Sequence, residues 1–200
     1  LAGPDPGPDG DIGQLAHRAY KFHMTPVYLD GRRPSLVICR GIYHRIKMEA
    51  WNFRDGSLQR LWAWDSAGES DPNYDGQGNH NFSVGDVDQD GKDEIAYGGC
   101  TVNHDGTGLY STGLDHGDAM HLSDMDPCRP GLEIWRCLEW ADGQYGFEFR
   151  DAGTGLNLIR RTASKDSGRC SAGDIDPRYN GYELWGSTGC PLYSCDGTII

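Results

Sequence analysis

Apolar residues in this chain fall in short runs separated by glycine, proline and aspartate, a pattern typical of short β-strands joined by tight turns. The segments 94–99 and 133–139 are predicted to be strands. No convincing stretch has apolar residues at positions i, i+3, i+4 and i+7, the spacing of an amphipathic helix. The one ambiguous segment, 14–23, would also fit a short helix. The chain is therefore predicted to be all-β.

A turn signal recurs at a nearly constant interval. Asp55-Gly56, Asp105-Gly106, Asp151-Ala-Gly153 and Asp196-Gly197 are spaced by 50, 46 and 45 residues. Asp-Gly between β-rich runs predicts a hairpin, and repeats of about 40–50 residues with several strands predict the blades of a β-propeller. The 200 residues would hold about four blades, so we expect a fragment of a larger propeller. We predict a connecting loop over 1–27 and a partial propeller over 28–200.

A second recurring unit is an acidic loop that leads into a strand. Its fullest copy has Asp86, Asp88, Asp90 and Glu94 at positions one, three, five and nine, with the backbone carbonyl of Lys92 at position seven. Calcium takes about six to eight oxygen ligands, which such a loop would supply. The pattern is not an EF-hand, because the glutamate comes too early and a strand follows instead of a helix.

Two later copies of the acidic loop are less complete. Their candidate ligands are Asp124, Asp126 and Glu133, and Asp174, Asp176 and Glu183. Both lack the third aspartate and have proline after the second one, so we expect weaker or water-completed calcium sites, or ordinary Asp-Pro turns. A fourth, degenerate copy at Asp30 is interpreted as a structural turn.

Composition narrows the function classes. The net charge of −12 leaves no basic stripe to bind nucleic acid, and no apolar run is long enough to span a membrane. The seven cysteines form no zinc-type pair. Cys190 and Cys195 would bridge a hairpin, or would serve, like the others, as small buried apolar residues. Modest-affinity calcium loops fill at about millimolar calcium, which favours an extracellular, secreted location.

The candidate chemistry lies just before the strands that lead into the acidic loops. His80 and His116 occupy equivalent positions in successive repeats, Asp118 follows, and Glu139 ends a predicted strand. Residues just before an inner strand of a propeller project toward its central channel, so these four form a plausible metal cluster. The alternative is that each histidine merely caps a loop by bonding to the backbone.

The runs 76–95 and 108–127, together with 28–37 and 50–56, resemble the family 11 polysaccharide lyases, the rhamnogalacturonan lyases. The resemblance covers roughly 28–185. It implies an eight-bladed calcium-rich β-propeller that cleaves the galacturonate–rhamnose backbone of rhamnogalacturonan I, a pectin, by β-elimination. We expect this polysaccharide as partner, and a monomer.

The resemblance also implies individual roles. His80, His116, Asp118 and Glu139 would hold the active-site calcium, and Arg169 would be the substrate-side arginine. The family's catalytic lysine and tyrosine have no counterpart in these 200 residues, and are expected beyond Ile200. The competing interpretation is a non-catalytic calcium-binding propeller that binds carbohydrate or protein. Convergence of the five residues at one mouth would favour the lyase.

Overall fold

The computed structural model describes residues 22–68, 72–141, 144–187 and 189–200. These residues form fifteen strands and two 3₁₀ turns, Ser66–Gly68 and Pro72–Tyr74, with no α-helix among them, so the all-β prediction is confirmed. Most of the ambiguous segment 14–23 lies outside the described residues. Its last two residues begin a strand over Phe22–Val27, where the sequence had predicted a connecting loop, because this segment pairs with the strand that follows.

The strands assemble into four antiparallel sheets, each made of consecutive strands. Sheet 1 contains β1 (Phe22–Val27), β2 (Ser35–Arg40), β3 (Lys47–Arg54) and β4 (Ser57–Asp65). Sheet 2 contains β5 (Ser83–Gly85), β6 (Glu94–Tyr97), β7 (Cys100–Val102) and β8 (Gly108–Ser111). Sheet 3 contains β9 (Met120–Ser123), β10 (Glu133–Ala141), β11 (Gln144–Asp151) and β12 (Asn157–Ala163). Sheet 4 contains β13 (Cys170–Gly173), β14 (Glu183–Gly186) and β15 (Tyr193–Ser194).

The recurring Asp-Gly turns fall once in each sheet. Asp55 and Gly56 connect β3 to β4 as a two-residue hairpin loop with φ values of 49° and 77°, the left-handed pair that this turn type requires. The other copies follow β7, β11 and β15. The acidic loops likewise connect the first two strands of sheets 2, 3 and 4.

Consecutive sheets pack face to face, and sheet 3 shows how. Trp135 and Phe147 stack with ring centroids 5.5 Å apart on the face that packs against Leu184 of sheet 4. The opposite face presents Ile134 to Ala96 of sheet 2. Because strand side chains alternate between faces, both faces of this sheet are buried.

Indole and phenol groups tie neighbouring sheets together through backbone carbonyls. Trp62 Nε1 donates to His104 O at 2.9 Å, Tyr110 OH to Ala152 O at 2.9 Å, and Trp135 Nε1 to Trp185 O at 3.0 Å. The first strands β5, β9 and β13 contact one another in turn. The four sheets therefore pack in chain order, and the first strands of sheets 2, 3 and 4 lie on a common side.

The described part of the chain has no sheet that closes on itself. All seven cysteines are free thiols and five of them are buried, so Cys190 and Cys195 do not bridge. The described part of the chain contains no helix that is long and apolar enough to cross a membrane.

Candidate active site and acidic loops

Equivalent loops of sheets 2 and 3 bring the two histidines together. An isolated parallel bridge joins Asn79 to Gly117, which aligns the residues before β5 with those before β9. A Cβ atom on Gly117 would lie 2.2 Å from the carbonyl oxygen of Cys137, so only glycine allows this approach. The rings of His80 and His116 consequently lie 5.0 Å apart, centroid to centroid.

Asp118 links these imidazoles to the remaining predicted site residues. Its Oδ1 lies 3.0 Å from His80 Nε2 and 3.4 Å from His116 Nε2, and its Oδ2 lies 3.7 Å from Arg169 Nη1. Glu139 Oε2 lies 3.4 Å from His116 Nε2. All five residues predicted for the active site thus meet at one place, contributed by sheets 2, 3 and 4.

The hydrogen bonds of His116 define its tautomer. Its Nδ1 donates to the carbonyl oxygen of Gly78 at 2.9 Å, so Nδ1 carries the proton and Nε2 exposes its lone pair. Burial, reinforced by the charge of His80, lowers the pKa of His116 to about 4. The ring is therefore neutral near pH 7, and its lone pair faces the carboxylates of Asp118 and Glu139.

The cluster opens toward solvent from His116 to Arg169. The side chain of His116 is 7% exposed, that of Glu139 41% and that of Arg169 77%. Glu139 is fixed by its backbone N–H, which donates to His116 O at 3.0 Å. Arg169 Nη1 donates to Gly168 O, and its own carbonyl accepts the N–H of Ser187 at 2.9 Å. The site therefore has a buried nitrogen base and a solvent-facing guanidinium.

Tyr43, between β2 and β3, is a site residue that the sequence analysis missed. Its hydroxyl lies 3.2 Å from His80 Nε2, and its ring centroid lies 4.3 Å from that of His116. No repeat signal marks this position, because Tyr43 lies between β2 and β3 and not in a loop that precedes the first strand of a sheet. Sheet 1 thereby contributes an aromatic wall to the site.

The first acidic loop gathers its three aspartates. One carboxylate oxygen from each of Asp86, Asp88 and Asp90 lies within 4.8 Å of the others. The carboxylate of Asp86 accepts the N–H groups of Asp90 and Gly91 at 2.9 and 3.0 Å, which closes the loop. Gly91 has a φ of 89°, as expected for the turn.

Glu94 and Lys92 extend this first loop toward His104. Glu94 is fully buried, its Oε2 accepts the N–H of Val87 at 3.0 Å, and burial raises its pKa. The ammonium of Lys92, for which the sequence had predicted a backbone role, lies 3.1 Å from Asp90 Oδ2 and 2.9 Å from His104 Nε2. Asp90, Glu94 and His104 form another potential metal-binding group.

The two later loops are built differently. Glu133 Oε2 accepts the N–H groups of Met125 and Asp126 at 2.9 and 3.1 Å, and Glu183 Oε2 makes the equivalent pair of bonds in the third loop at 2.8 and 2.9 Å. Burial raises the pKa of Glu133.

The aspartates of these later loops do not converge. Among the described residues, Asp124 and Asp126 do not cluster with Glu133, nor do Asp174 and Asp176 with Glu183, as the aspartates of the first loop do. In the third loop the guanidinium of Arg178 holds Asp176, with Nη2 at 2.5 Å from Oδ2, and lowers the pKa of Asp176 to about 2.

Comparison with known proteins identifies relatives of the whole described fold. The chain is 51% identical over 184 residues to rhamnogalacturonan endolyase YesW of Bacillus subtilis (strain 168), covering 92% of this chain and 29% of YesW. It is 53% identical over 170 residues to rhamnogalacturonan exolyase YesX of the same organism, covering 85% and 28%. The structure of Bacillus licheniformis rhamnogalacturonan lyase PL11 superposes with a TM-score of 0.91 at 49% identity, covering 100% of this chain and 34% of that one.

The chain spans about a third of the length of these relatives. Residues 9–200 match the family model described as rhamnogalacturonan lyase family 11, C-terminal domain. The resemblance found in the sequence is confirmed, and the chain belongs to rhamnogalacturonan lyase family 11.

Proposed function

We propose that this chain is part of a rhamnogalacturonan lyase that cleaves the galacturonate–rhamnose backbone of rhamnogalacturonan I by calcium-assisted β-elimination. The observation that carries the proposal is the meeting of His80, His116, Asp118, Glu139 and Arg169 at one place, in a member of this family. A propeller that only binds carbohydrate or protein does not require such a cluster, so the geometry favours an enzyme over a non-catalytic binding module.

The residues of the cluster fit a bound cation. His116 Nε2 is buried and makes no hydrogen bond with any described residue. It is unprotonated near pH 7, yet it lies 3.4 Å from two carboxylate oxygens, of Asp118 and of Glu139. Acceptors face one another here without a proton between them, and a cation would remove this repulsion. We assign His80, His116, Asp118 and Glu139 as its ligands.

Calcium bound there would neutralise the galacturonate carboxylate and stabilise the negative charge that develops when C5 loses its proton. Arg169, exposed and close to Asp118, would bind the same anionic sugar from the solvent side as a two-pronged donor. We assign none of these five residues as the base, because four are committed to the cation and a guanidinium stays protonated.

The acidic loops would hold structural calcium. In the first loop the ligands are Asp86, Asp88 and Asp90, with Glu94 buried behind them. In the later loops Glu133 Oε1 and Glu183 Oε1 are buried oxygens without a hydrogen bond among the described residues, and each would face a cation or a water molecule. The weaker convergence of their aspartates makes these loops the weaker calcium sites.

We interpret the four sheets as four blades of a β-propeller. Their consecutive packing, the common side of the first strands of sheets 2, 3 and 4, and the active-site cluster beside those strands all support this arrangement. The endolyase and the exolyase match this chain almost equally, so we assign to it the part of the site common to both modes of cleavage. We further propose that the protein acts as a secreted monomer, at extracellular calcium levels.

The natural full-length protein, assayed on rhamnogalacturonan I, tests the proposal. We expect an increase in ultraviolet absorbance from the unsaturated uronide product in calcium, and none in chelator. Homogalacturonan, which lacks rhamnose, is the matched control substrate and should give no signal. Absorbance that persists in chelator would refute the calcium role, and silence under all conditions would refute the lyase.

A further inference from the structure

Three charged side chains are completely buried between sheets 2 and 3. Glu148 Oε1 accepts hydrogen bonds from Arg136 Nε and Arg150 Nη1, and all three side chains are 0% exposed. Burial raises the pKa of Glu148, but the two guanidinium groups outweigh this effect and lower it, so the carboxylate stays ionised. We call this set the Arg–Glu–Arg network.

Core packing does not explain the network. Burying charges costs desolvation energy, and replacing a buried ionic triad by apolar residues of similar volume is often neutral or stabilising. Arg150 Nε donates to Tyr110 OH at 3.4 Å. The terminal nitrogens of the two arginines are the informative part, because three of them donate to backbone carbonyls near the active site.

Arg136 holds the turn that precedes His116. Its Nη1 donates to Asp115 O at 2.9 Å and its Nη2 to Leu114 O at 3.4 Å. Asp115 has a φ of 57°, a left-handed conformation that aspartate adopts more readily than most residues but that still costs free energy. Such a conformation persists only where its surroundings fix it, and the guanidinium of Arg136 does so.

Arg150 supports the same histidine from the opposite side. Its Nη2 donates to Gly98 O at 2.6 Å. Gly98 packs so closely on the segment before His80 that a Cβ would lie 2.8 Å from Gly78 O, the carbonyl that accepts the Nδ1 proton of His116. Glu148 joins the two arginines, so the turn before His116 and the acceptor of its proton rest on one rigid support.

We propose that Arg136, Glu148 and Arg150 are positioning residues that aim His116 Nε2 at the cation site. This inference rests on the proposed role of His116 as a calcium ligand. Partners that orient a metal ligand typically change metal affinity by about 10–100-fold when they are removed. None of the three side chains belongs to the proposed cation ligands, so the network acts through the backbone that holds His116.

The test uses the triple variant Arg136→Met/Glu148→Leu/Arg150→Met in the natural full-length protein. We expect the variant to stay folded in chelator, with a lower melting temperature because three backbone carbonyls lose their donors, while the free calcium giving half-maximal lyase activity rises at least about tenfold. The control Arg161→Met, which removes an arginine from the opposite face of sheet 3, should leave the calcium curve unchanged. A stable triple variant with a wild-type calcium curve would overturn the proposal.

Arg136→Lys covers the case in which the triple variant does not fold. Lysine keeps a charge for Glu148 but lacks the planar fork that reaches both carbonyls. We expect a rise of several-fold in half-maximal calcium for this variant. An unchanged curve in a folded Arg136→Lys protein would also overturn the proposal.

Imidazole ¹⁵N NMR in chelator separates this inference from the proposed function. We expect faster exchange of the Nδ1 proton and altered ring shifts for His116 in Arg136→Lys, with the signals of His104 unchanged. Identical His116 signals in both proteins would refute the positioning role even if the wild type proved to have no lyase activity. Absence of lyase activity in the wild type would refute only the proposed function.

Discussion

At His116, burial and one hydrogen bond decide the chemistry of the ring. Donation from Nδ1 to Gly78 O fixes the tautomer, and the lowered pKa keeps the lone pair on Nε2 available near neutral pH. Histidine is an uncommon calcium ligand beside carboxylates, so this orientation is what makes it competent.

His116→Asn isolates the role of Nε2. The asparagine amide can still donate to Gly78 O, but nothing replaces Nε2. We expect lyase activity to require at least about tenfold more calcium. The melting temperature in chelator should move by less than about 4 °C, the effect of about 1 kcal/mol. A larger fall in melting temperature with an unchanged calcium curve would mark His116 as structural only.

Tyr43→Phe probes the residue that the sequence did not reveal. It removes the hydroxyl beside His80 but keeps the ring against His116. Loss of one hydrogen bond of about 1 kcal/mol predicts about a fivefold rise in half-maximal calcium. Tyr43→Ala should have a larger effect because the ring is lost as well. Equal curves for wild type and Tyr43→Phe would show that the hydroxyl has no part in the site.

At the scale of elements, calcium is expected in two roles: a structural role in the first acidic loop and a catalytic role at the strand ends of the active site. Asp88→Asn should lower the melting temperature in calcium by about 5–10 °C, since saturating a site at one hundred times its dissociation constant adds about 2.7 kcal/mol. In chelator the same variant should melt like the wild type. Differential scanning calorimetry in both media measures this.

Asp196→Asn is the matched control for that experiment. Asp196 Oδ1 accepts the N–H of Thr198 at 2.8 Å in an ordinary turn. The substitution should therefore lower the melting temperature by the same amount in calcium and in chelator. If Asp88→Asn also lost stability equally in both media, the first loop would hold no structural calcium.

Gly117→Ala tests the close contact that aligns the two histidine loops. The added Cβ would meet the backbone carbonyl of Cys137, and we expect about 1–3 kcal/mol of destabilisation together with a large rise in half-maximal calcium. Gly56→Ala is strained by its φ of 77° but meets no atom within 4 Å, so it should cost stability without changing the calcium curve. If the calcium curve of Gly117→Ala were as unchanged as that of Gly56→Ala, Gly117 would have no role in aligning the two histidine loops.

At the scale of the whole molecule, local signals predicted the all-β fold and its recurring turns. Asp55-Gly56 forms the predicted hairpin, and the acidic loops connect the first two strands of their sheets, because both depend on residues adjacent in sequence. His80 and His116 were paired from the repeat alone. Glu139 was placed beside them as the end of a predicted strand, whereas Arg169 came from the family resemblance alone.

The contacts between sheets could not be predicted from the sequence pattern. The alternation Phe147-Glu148-Phe149-Arg150 is typical of a strand with one solvent face, yet packing between sheets 2 and 4 buries both faces. Glu148 and Arg150 of this segment therefore form the Arg–Glu–Arg network with Arg136. Phe22–Val27 was included in the predicted connecting loop, and the structure places it, with Pro26, in β1, the edge strand of sheet 1 among the described residues, where a missing N–H is tolerated.

The most direct measurement is the rate of uronide release from rhamnogalacturonan I against free calcium for wild type and Asp118→Asn. Asp118 contacts both imidazoles and Arg169, so it joins the cation site to the substrate side. We predict that the variant needs at least about tenfold more calcium and stays slower at saturation. Superimposable curves would contradict a calcium site at these residues.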